Sequence, residues 1–111
     1  MSKAAYWQRG ETLDYTNSGT TAIEANTITP LGNRVGVIGA PIAAGETGSL
    51  IVTGVFEMPK DDAAITAGAD LYWDGTNGCV TATKGTLTVV AGYAAQAAAA
   101  ADEVVLVKLI G

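Results

Sequence analysis

Acidic side chains are the groups of this sequence most able to do chemistry, because the chain carries eleven Asp and Glu but no histidine. Three close pairs occur: Asp61 with Asp62, Glu11 with Asp14, and Asp102 with Glu103. A carboxylate pair performs acid–base catalysis when its surroundings hold the two pKa values apart. These pairs lie in polar sequence where neighbouring acids are usually solvated, and the commonest general base is missing. The sequence therefore predicts that the protein is not an enzyme.

A metal site is the second possibility, since Asp70 and Asp74 occupy the first and fifth places of a stretch that begins like a calcium-binding EF-hand loop. Tyr72 stands third and Thr81 twelfth, where the loop needs oxygen ligands and a bidentate glutamate. Cys79 is the only cysteine, which excludes an internal disulfide and a zinc site made of several thiolates and suits a reducing compartment. We predict no metal and no cofactor.

Glycine-rich stretches raise the question of nucleotide binding. Gly36 and Gly39 lie in a GxxxGxxG spacing instead of GxGxxG, and Pro41 follows where a helix would have to begin. Between Gly39 and Gly45 the spacing approaches a phosphate loop, but Glu46 stands where that loop needs lysine. A carboxylate there would repel phosphate, so we predict no nucleotide site.

The stretch AGADLYWDGTNGCV, residues 67–80, places two large aromatic side chains before a glycine-rich turn. In a strand over 70–74, Trp73 shares a face with Leu71, and Tyr72 lies on the other face. The following Asp-Gly-Thr-Asn-Gly sequence is typical of a β-hairpin turn. We interpret Trp73 as core and Tyr72 as a side chain with a solvated hydroxyl. The alternative is a carbohydrate-binding surface module that uses Tyr72 and Trp73 as its platform.

Composition points towards contact with other protein chains. The 111 residues suffice for one domain with a modest core, and only 15% of them are charged although 49% are hydrophobic. Such a surface is expected to leave apolar area uncovered. The formal charge of −5 and the absence of clustered cations argue against nucleic acid. No apolar run approaches a membrane span or a signal peptide, so we expect no membrane partner and synthesis in a cytoplasm.

Short segments rich in Val, Ile, Thr and aromatic residues alternate with turn residues every eight to twelve positions, which predicts an all-β fold. The predicted strands are 11–16, 21–28, 34–40, 49–57, 70–74, 78–83, 86–95 and 103–110. This is a single-domain β-sandwich or jelly-roll-like barrel of about eight short strands. Residues 39–54 and 92–111 share a plan of glycine, small residues, an acidic turn and a strand. That echo favours a hairpin connection with at most one helical turn for the alanine-rich segment 97–102.

The N-terminal residues differ in character from the rest of the chain. Tyr6, Trp7 and Tyr15 supply three of the seven aromatic residues, and Arg9 lies among them. Aromatic side chains and arginine are the usual anchors of protein interfaces. We therefore divide the chain into an extended arm with the first strand, residues 1–20, and a β-sandwich domain, residues 21–111, and predict these four side chains as contacts. The alternative is a first edge strand whose aromatic residues fill its own core.

Several segments together resemble a known family of small phage proteins. They are GVFEMPK at 54–60, ITAGADLYWD at 65–74, Val80–Thr81 and the closing VVLVKLIG at 104–111, with GETL at 10–13 near the start. The chain resembles the capsid cement, or decoration, proteins of tailed phages over roughly 30–111. Some members carry a recombinase-like label, which these residues do not support because a phosphate loop is missing.

The resemblance implies a virion structural protein on the outer surface of an icosahedral head. It would bridge subunits of the major capsid protein and stabilise the shell against the pressure of packaged DNA. Further implied features are self-association as a dimer or trimer and synthesis in the cytoplasm of a bacterial host. Phe56, Met58 and Pro59, within the GVFEMPK segment, are further predicted contacts with the capsid or with another copy.

Overall fold

The computed structural model describes residues 2–110, and nine β-strands account for its regular secondary structure. The strands are β1 (Thr12–Thr16), β2 (Ile28–Leu31), β3 (Arg34–Ile38), β4 (Thr47–Ile51), β5 (Val55–Pro59), β6 (Asp70–Asp74), β7 (Cys79–Thr81), β8 (Val90–Ala94) and β9 (Val104–Lys108). All nine belong to one mixed sheet. Residues 2–110 contain no helix, and hence none that could cross a membrane. The prediction of an all-β fold is confirmed, while the jelly-roll connections stay a prediction.

The first four strands form an open antiparallel arrangement. β1 pairs with β4 along its whole length, β4 pairs with the end of β3, and β3 pairs with β2. An isolated bridge between Ile23 and Ile42 joins the loops that precede β2 and β4. We call residues 11–52 the N-terminal half.

The last five strands form a ring. β5 pairs with β9, β9 with β8, β8 with β6, and β6 with β7. A parallel bridge between Lys60 and Val80 then joins the end of β5 to β7. We call residues 54–109 the C-terminal half. A single parallel bridge, from Arg34 to Val90, links the sheets of the two halves.

The two halves repeat one hydrogen-bonding plan. In the N-terminal half the N–H of Asn26 donates to the carbonyl of Ile38 at 2.7 Å, and in the C-terminal half Gly68 donates to Ala94 at the same distance. The bridge of Ile23 with Ile42 likewise has its counterpart in Ile65 with Ala98. By this register β1 corresponds to β5, β2 to β6, β3 to β8 and β4 to β9. Strand β7 is an addition of the C-terminal half.

The similarity between residues 39–54 and 92–111 is thus part of a larger structural repeat. The residues that correspond in the structure are shifted from those matched in the sequence. Residues 42–52 correspond to residues 98–109, with one extra residue in the second copy, and the counterpart of Gly39 is Ala95 instead of Gly92. The alanine-rich segment contains no helical turn and connects the antiparallel strands β8 and β9. The prediction of a hairpin connection is confirmed.

Each half has its own apolar cluster. In the N-terminal half the buried members are Ile38, Ile42, Leu50 and Val52, with Leu13, Tyr15 and Ile23 partly buried beside them. The C-terminal cluster is larger, and the fully enclosed side chains in it include Met58, Leu71, Val80, Val107 and Leu109. Val35 and Val37 of β3 also join this second cluster, so the two halves pack on each other through β3.

Equivalent positions after β1 and β5 hold the two buried polar side chains that fasten the loops. The amide of Asn17 donates to the carbonyls of Thr21 and Ile42 at 2.8 and 3.0 Å. The ammonium of Lys60 donates to three carbonyls, those of Asp61, Ala100 and Asp102. Since buried polar groups need partners, each side chain holds the turn that precedes the last strand of its half.

Two predicted strands differ from the structure. Segment 21–28 is mostly loop, because Asn26 adopts a φ of 67° in a turn, and the strand begins only at Ile28. Segment 49–57 is divided into β4 and β5 at Gly54, where φ is 110°. Conformations of this kind end strand pairing, and the apolar pattern alone does not reveal them.

One pair of contacting positions carries side chains of different size in the two halves. Position 48 is glycine beside Ile42, and a Cβ added there would lie 2.5 Å from Cγ1 of that isoleucine. The equivalent positions of the C-terminal half carry Val105 and Ala98, both buried. The large and small partners are therefore exchanged between the halves.

This exchange predicts that a second substitution partly restores the stability lost through the first. Gly48→Val should lower the free energy of unfolding by about 1–3 kcal/mol through overpacking, and Ile42→Ala by about 2–5 kcal/mol through a cavity. In the double variant the new valine occupies the vacated space, so its loss should be smaller than the sum of the two, as measured by urea unfolding. Gly10→Val, at a site with no atom within 4 Å, is the control. Strictly additive losses would contradict this account.

Candidate protein-interaction surface

The hairpin of β6 and β7 positions Asp74 as a turn residue. Its Oδ1 accepts the N–H groups of Thr76 and Asn77 at 3.1 and 3.2 Å, and its Oδ2 accepts the Asn77 side-chain amide at 2.7 Å. The side-chain hydrogen bond from Asn77 is the main reason why the pKa of Asp74 is lowered. The predicted hairpin is confirmed, with Trp73 paired to Val80. The carboxylate that suggested a calcium ligand is used to build this turn.

Two of the other candidate acids, Asp61 and Asp102, also have structural partners. Oδ2 of Asp61 accepts the hydroxyl of Thr81 at 2.6 Å, and Oδ2 of Asp102 accepts the N–H of Ala99 at 2.9 Å. The carboxylates of Asp61, Asp62 and Asp74 border an open polar cavity of about 560 Å³. Within residues 2–110 no three potential ligands come together as a metal centre would require.

Cys79 lies beside that cavity, but its thiol is buried. Burial raises the pKa of Cys79, and the carboxylates of Asp74 and Asp61 raise it further. A thiol is nucleophilic as its thiolate, which these surroundings disfavour. Cys79 therefore has the character of a packing residue.

Tyr72 and Trp73 do not form a common platform. As neighbours on β6 they project to opposite faces of the sheet, and both are half-buried. Trp73 packs against the C-terminal cluster and also lines an apolar groove. Its predicted place in the core is thus partly correct, since one side of the indole remains accessible from the groove.

The groove lies where the two halves meet and has a volume of about 550 Å³. Its walls come from the N-terminal half through Asn26, Thr27, Ile28 and Val37, and from the C-terminal half through Phe56, Glu57, Met58, Pro59 and Trp73. Most of these side chains are apolar, and Glu57 is the one charged residue among them. The groove has the size and composition of a site that receives an aromatic or aliphatic group.

One border of the groove is a free strand edge. The N–H of Leu109 donates to the carbonyl of Gly54, and the N–H of Lys60 donates to that of Glu103, so even-numbered residues of β5 bond towards β9. The N–H and C=O groups of Val55 and Glu57 therefore point away from β9. Within residues 2–110 no strand pairs with this edge before Lys60 reaches Val80.

Residues 2–10, which we call the arm, extend from the start of β1 and belong to no strand. Tyr6 and Trp7 are 82% and 89% exposed, more than any other large hydrophobic side chain that the structure describes. Arg9 makes a long, solvated ion pair with Glu11 at 3.7 Å. The base of the arm is fixed by the N–H of Val52, which donates to the carbonyl of Glu11 at 3.0 Å.

Charge is separated between the arm and the rest of the chain. The arm contains Lys3 and Arg9 and no acidic residue. Residues 11–111 contain all eleven Asp and Glu but only four Lys and Arg, which gives them a formal charge of −7. The arm is therefore a cationic aromatic segment attached to an acidic body.

The predicted contact residues fall into three places. Tyr6, Trp7 and Arg9 lie on the exposed arm, whereas Tyr15 is half-buried against the N-terminal cluster. Phe56, Met58 and Pro59 come together along the groove. Met58 is only 1% exposed, so it forms the floor of the groove and supports the core.

Six groove residues were not among the predicted contacts: Asn26, Thr27, Ile28, Val37, Glu57 and Trp73. Ile28, Val37 and Trp73 reach the groove from strands that are distant in sequence, and no spacing rule connects them. Glu57 lies within the GVFEMPK segment but was not predicted as a contact, because a single acid in a strand is usually solvated. The sequence signal for Glu57 was its position between the predicted contacts Phe56 and Met58.

Comparison with known proteins decides the family. A family model described as phage cement protein matches residues 7–109, nearly the whole described chain. The chain belongs to the phage cement proteins. This confirms the resemblance and extends it to Trp7 and Arg9 of the arm. No curated protein and no solved structure matches the chain.

Membership of the cement protein family indicates a structural role on the phage capsid and a place in the virion. It agrees with the use of the Asp74 and Asp102 carboxylates to hold turns. In a cement protein the surfaces that bind other chains take the place of an active site, and the arm and the groove are the two candidates for such surfaces in residues 2–110.

The Asp74 turn gives a pH-dependent prediction. Because its pKa is lower in the folded protein, Asp74 stabilises the fold above its unfolded pKa of about 4, and this contribution is lost as the pH falls through the folded value. Asn77→Ala removes the strongest cause and should raise the pKa of Asp74, which carboxyl NMR titration measures. Asp14→Asn, in β1, should leave that titration unchanged. An unaltered Asp74 titration in Asn77→Ala would refute the assignment.

Proposed function

We propose that this cement protein binds the outer surface of an icosahedral phage head and bridges neighbouring subunits of the major capsid protein. By joining these subunits it stabilises the shell against the outward pressure of packaged DNA. The protein is made in the cytoplasm of the bacterial host and acts in the virion as a homo-oligomer, a dimer or a trimer. Nucleic acid, membranes and small-molecule cofactors have no part in this function.

The observation that supports this proposal most directly is the arm. Two aromatic side chains stand almost fully exposed beside Arg9, and a free monomer gains nothing from holding them in water. Aromatic residues and arginine are enriched where protein interfaces lose their water. We therefore treat residues 1–20, the arm with the first strand, as the segment that contacts a partner, with Tyr6, Trp7 and Arg9 on the arm and Tyr15 in the strand, and residues 21–111 as the domain that carries the groove.

The strength of such a contact argues for repeated binding. At about 25 cal/mol per Å² of apolar surface, a few hundred Å² contribute several kcal/mol, which the entropy of association of roughly 4–15 kcal/mol largely offsets. One contact is therefore weak. A subunit that binds several capsid subunits gains avidity, because each further contact forms at high effective concentration.

The low charge of the chain also fits a shell protein. Only 15% of its residues are charged, so neighbouring copies meet with little desolvation of ionised groups. The acidic body repels DNA, which separates the protein from the packaged genome. Both properties favour adhesion to protein over other functions.

Deletion of residues 1–9 tests the proposal. The shortened protein should keep its β-sheet circular dichroism spectrum, because the arm belongs to no strand, and should bind mature, expanded shells of its own phage more weakly. Co-sedimentation with purified shells measures the binding. Shells of an unrelated phage are the control for nonspecific adhesion.

A matched pair of variants separates the aromatic contact from a general loss of surface. Trp7→Ser should weaken shell binding about as much as the deletion, whereas Tyr93→Ser removes an exposed ring on β8 and should leave binding unchanged. Shell binding that is unaffected by both the deletion and Trp7→Ser would show that the arm is not the contact. Failure of the intact protein to bind any shell would overturn the function itself.

A further inference from the structure

We propose that the arm of one copy adds a strand to the free edge of β5 in a second copy, with Trp7 seated in the groove between the two halves. This inference rests on the proposed function, since it assigns to a neighbouring cement subunit the arm contact that the function requires. The groove and the edge together define what can occupy them, and the arm meets each condition.

The first condition is an extended backbone. The odd-numbered residues of β5 direct unpaired N–H and C=O groups along one side of the groove. Such an edge binds a segment that supplies a matching row of main-chain groups. The arm pairs with no strand and contains no proline between residues 2 and 10, so its main-chain groups are available for such pairing.

The second condition is an apolar side chain on the occupant. Ile28 and Val37 on one wall and Phe56 and Trp73 on the other leave an apolar space of about 550 Å³. In an extended arm Trp7 projects to one face together with Ala5 and Arg9, and Tyr6 projects to the other. An indole that enters the space meets aromatic and aliphatic atoms, and Tyr6 stays at the rim.

The third condition is positive charge. Glu57 is the charged residue of the groove, and it lies on the strand to which the arm would pair. Arg9 follows Trp7 by two residues, so pairing of the arm with β5 places Arg9 within a few residues of Glu57 along the same edge. The acid-free arm and the body of formal charge −7 attract each other at longer range.

Reach and buried area favour a second copy as the source of the arm. Nine extended residues span roughly 30 Å, enough to cross to a neighbour. A fully buried aromatic ring contributes about 150–250 Å², so the two Trp7 rings of exchanged arms bury roughly 300–500 Å², and the two grooves that receive them bury about as much. Tyr6 at the rim and the paired main chain add to this area and bring it towards the roughly 1,200–2,000 Å² of a specific interface. In its own subunit the arm leaves both rings exposed.

The experiment uses the full chain without shells. Trp73→Phe keeps an aromatic ring in the groove and leaves Trp7 as the only tryptophan. We expect the emission of Trp7 to shift to shorter wavelength, and its quenching by acrylamide to fall, as the protein concentration rises. Sedimentation velocity on the same samples should show the association in parallel.

Three variants assign the contact. Trp7→Ala should weaken the association about 30-fold or more, whereas Tyr93→Ala, which removes an exposed ring elsewhere, should not change it. Val55→Pro removes a free N–H of β5 that does not bond to β9, so it should prevent the pairing and keep the β-sheet spectrum. Arg9→Glu and Glu57→Arg should each weaken the association, and the double variant should restore it.

Each contrary outcome has its own meaning. If Trp7 is shielded while sedimentation shows a monomer, the arm fills its own groove and the inference is wrong. If Trp7 stays exposed while the arm deletion abolishes shell binding, the arm binds the capsid, so the proposed function stands and this inference fails. If the copies associate as expected but bind no shell, the proposed function fails and the arm exchange stands.

Discussion

Two equivalent glycines allow the strands of each half to approach one another closely. Gly36 of β3 and Gly92 of β8 lie in strands that hydrogen-bond on both sides within a few residues. A Cβ at Gly36 would meet the side chain of Leu50 at 2.5 Å, and one at Gly92 would collide with the carbonyl oxygen of Lys108. The φ of 150° at Gly92 adds a conformation that other residues rarely adopt. Both apolar clusters depend on this close approach, since it brings the last strand of each half over its core.

The repeated plan explains why the halves differ where they do. The C-terminal half has the added strand β7, whose Val80 is buried in the larger cluster and whose bridge to Lys60 closes the ring. The N-terminal half has no such strand, and Tyr15 and Ile23, the counterparts of the buried Met58 and Ile65, remain half-exposed. A groove forms at the junction because a closed half packs against an open one. The candidate binding groove of this cement protein is thus a product of an incomplete repetition.

Sequence reasoning predicted the elements whose signals are local. The hairpin at 70–81 followed from the alternation around Trp73 and the Asp-Gly turn, and the all-β class followed from short strands and regular turns. The breaks at Asn26 and Gly54 were missed, because a positive φ leaves no mark on hydrophobic periodicity. The composition of the arm was readable, and Phe56, Met58 and Pro59 were placed in one segment. The groove itself was not predictable, since its walls join residues that only the folded register brings together.

Asn17 and Lys60 give the repetition a further use. They occupy the same place in the two halves and fasten the same kind of loop, one with a neutral amide and the other with an ammonium group on backbone carbonyls. A single molecule therefore contains two equivalent loops, and each is held by hydrogen bonds from a different kind of side chain. The two loops share solvent, temperature and chain, so their sensitivities to salt can be compared within one molecule. Because the repeat places two equivalent loops in one protein, each loop is an internal reference for the other.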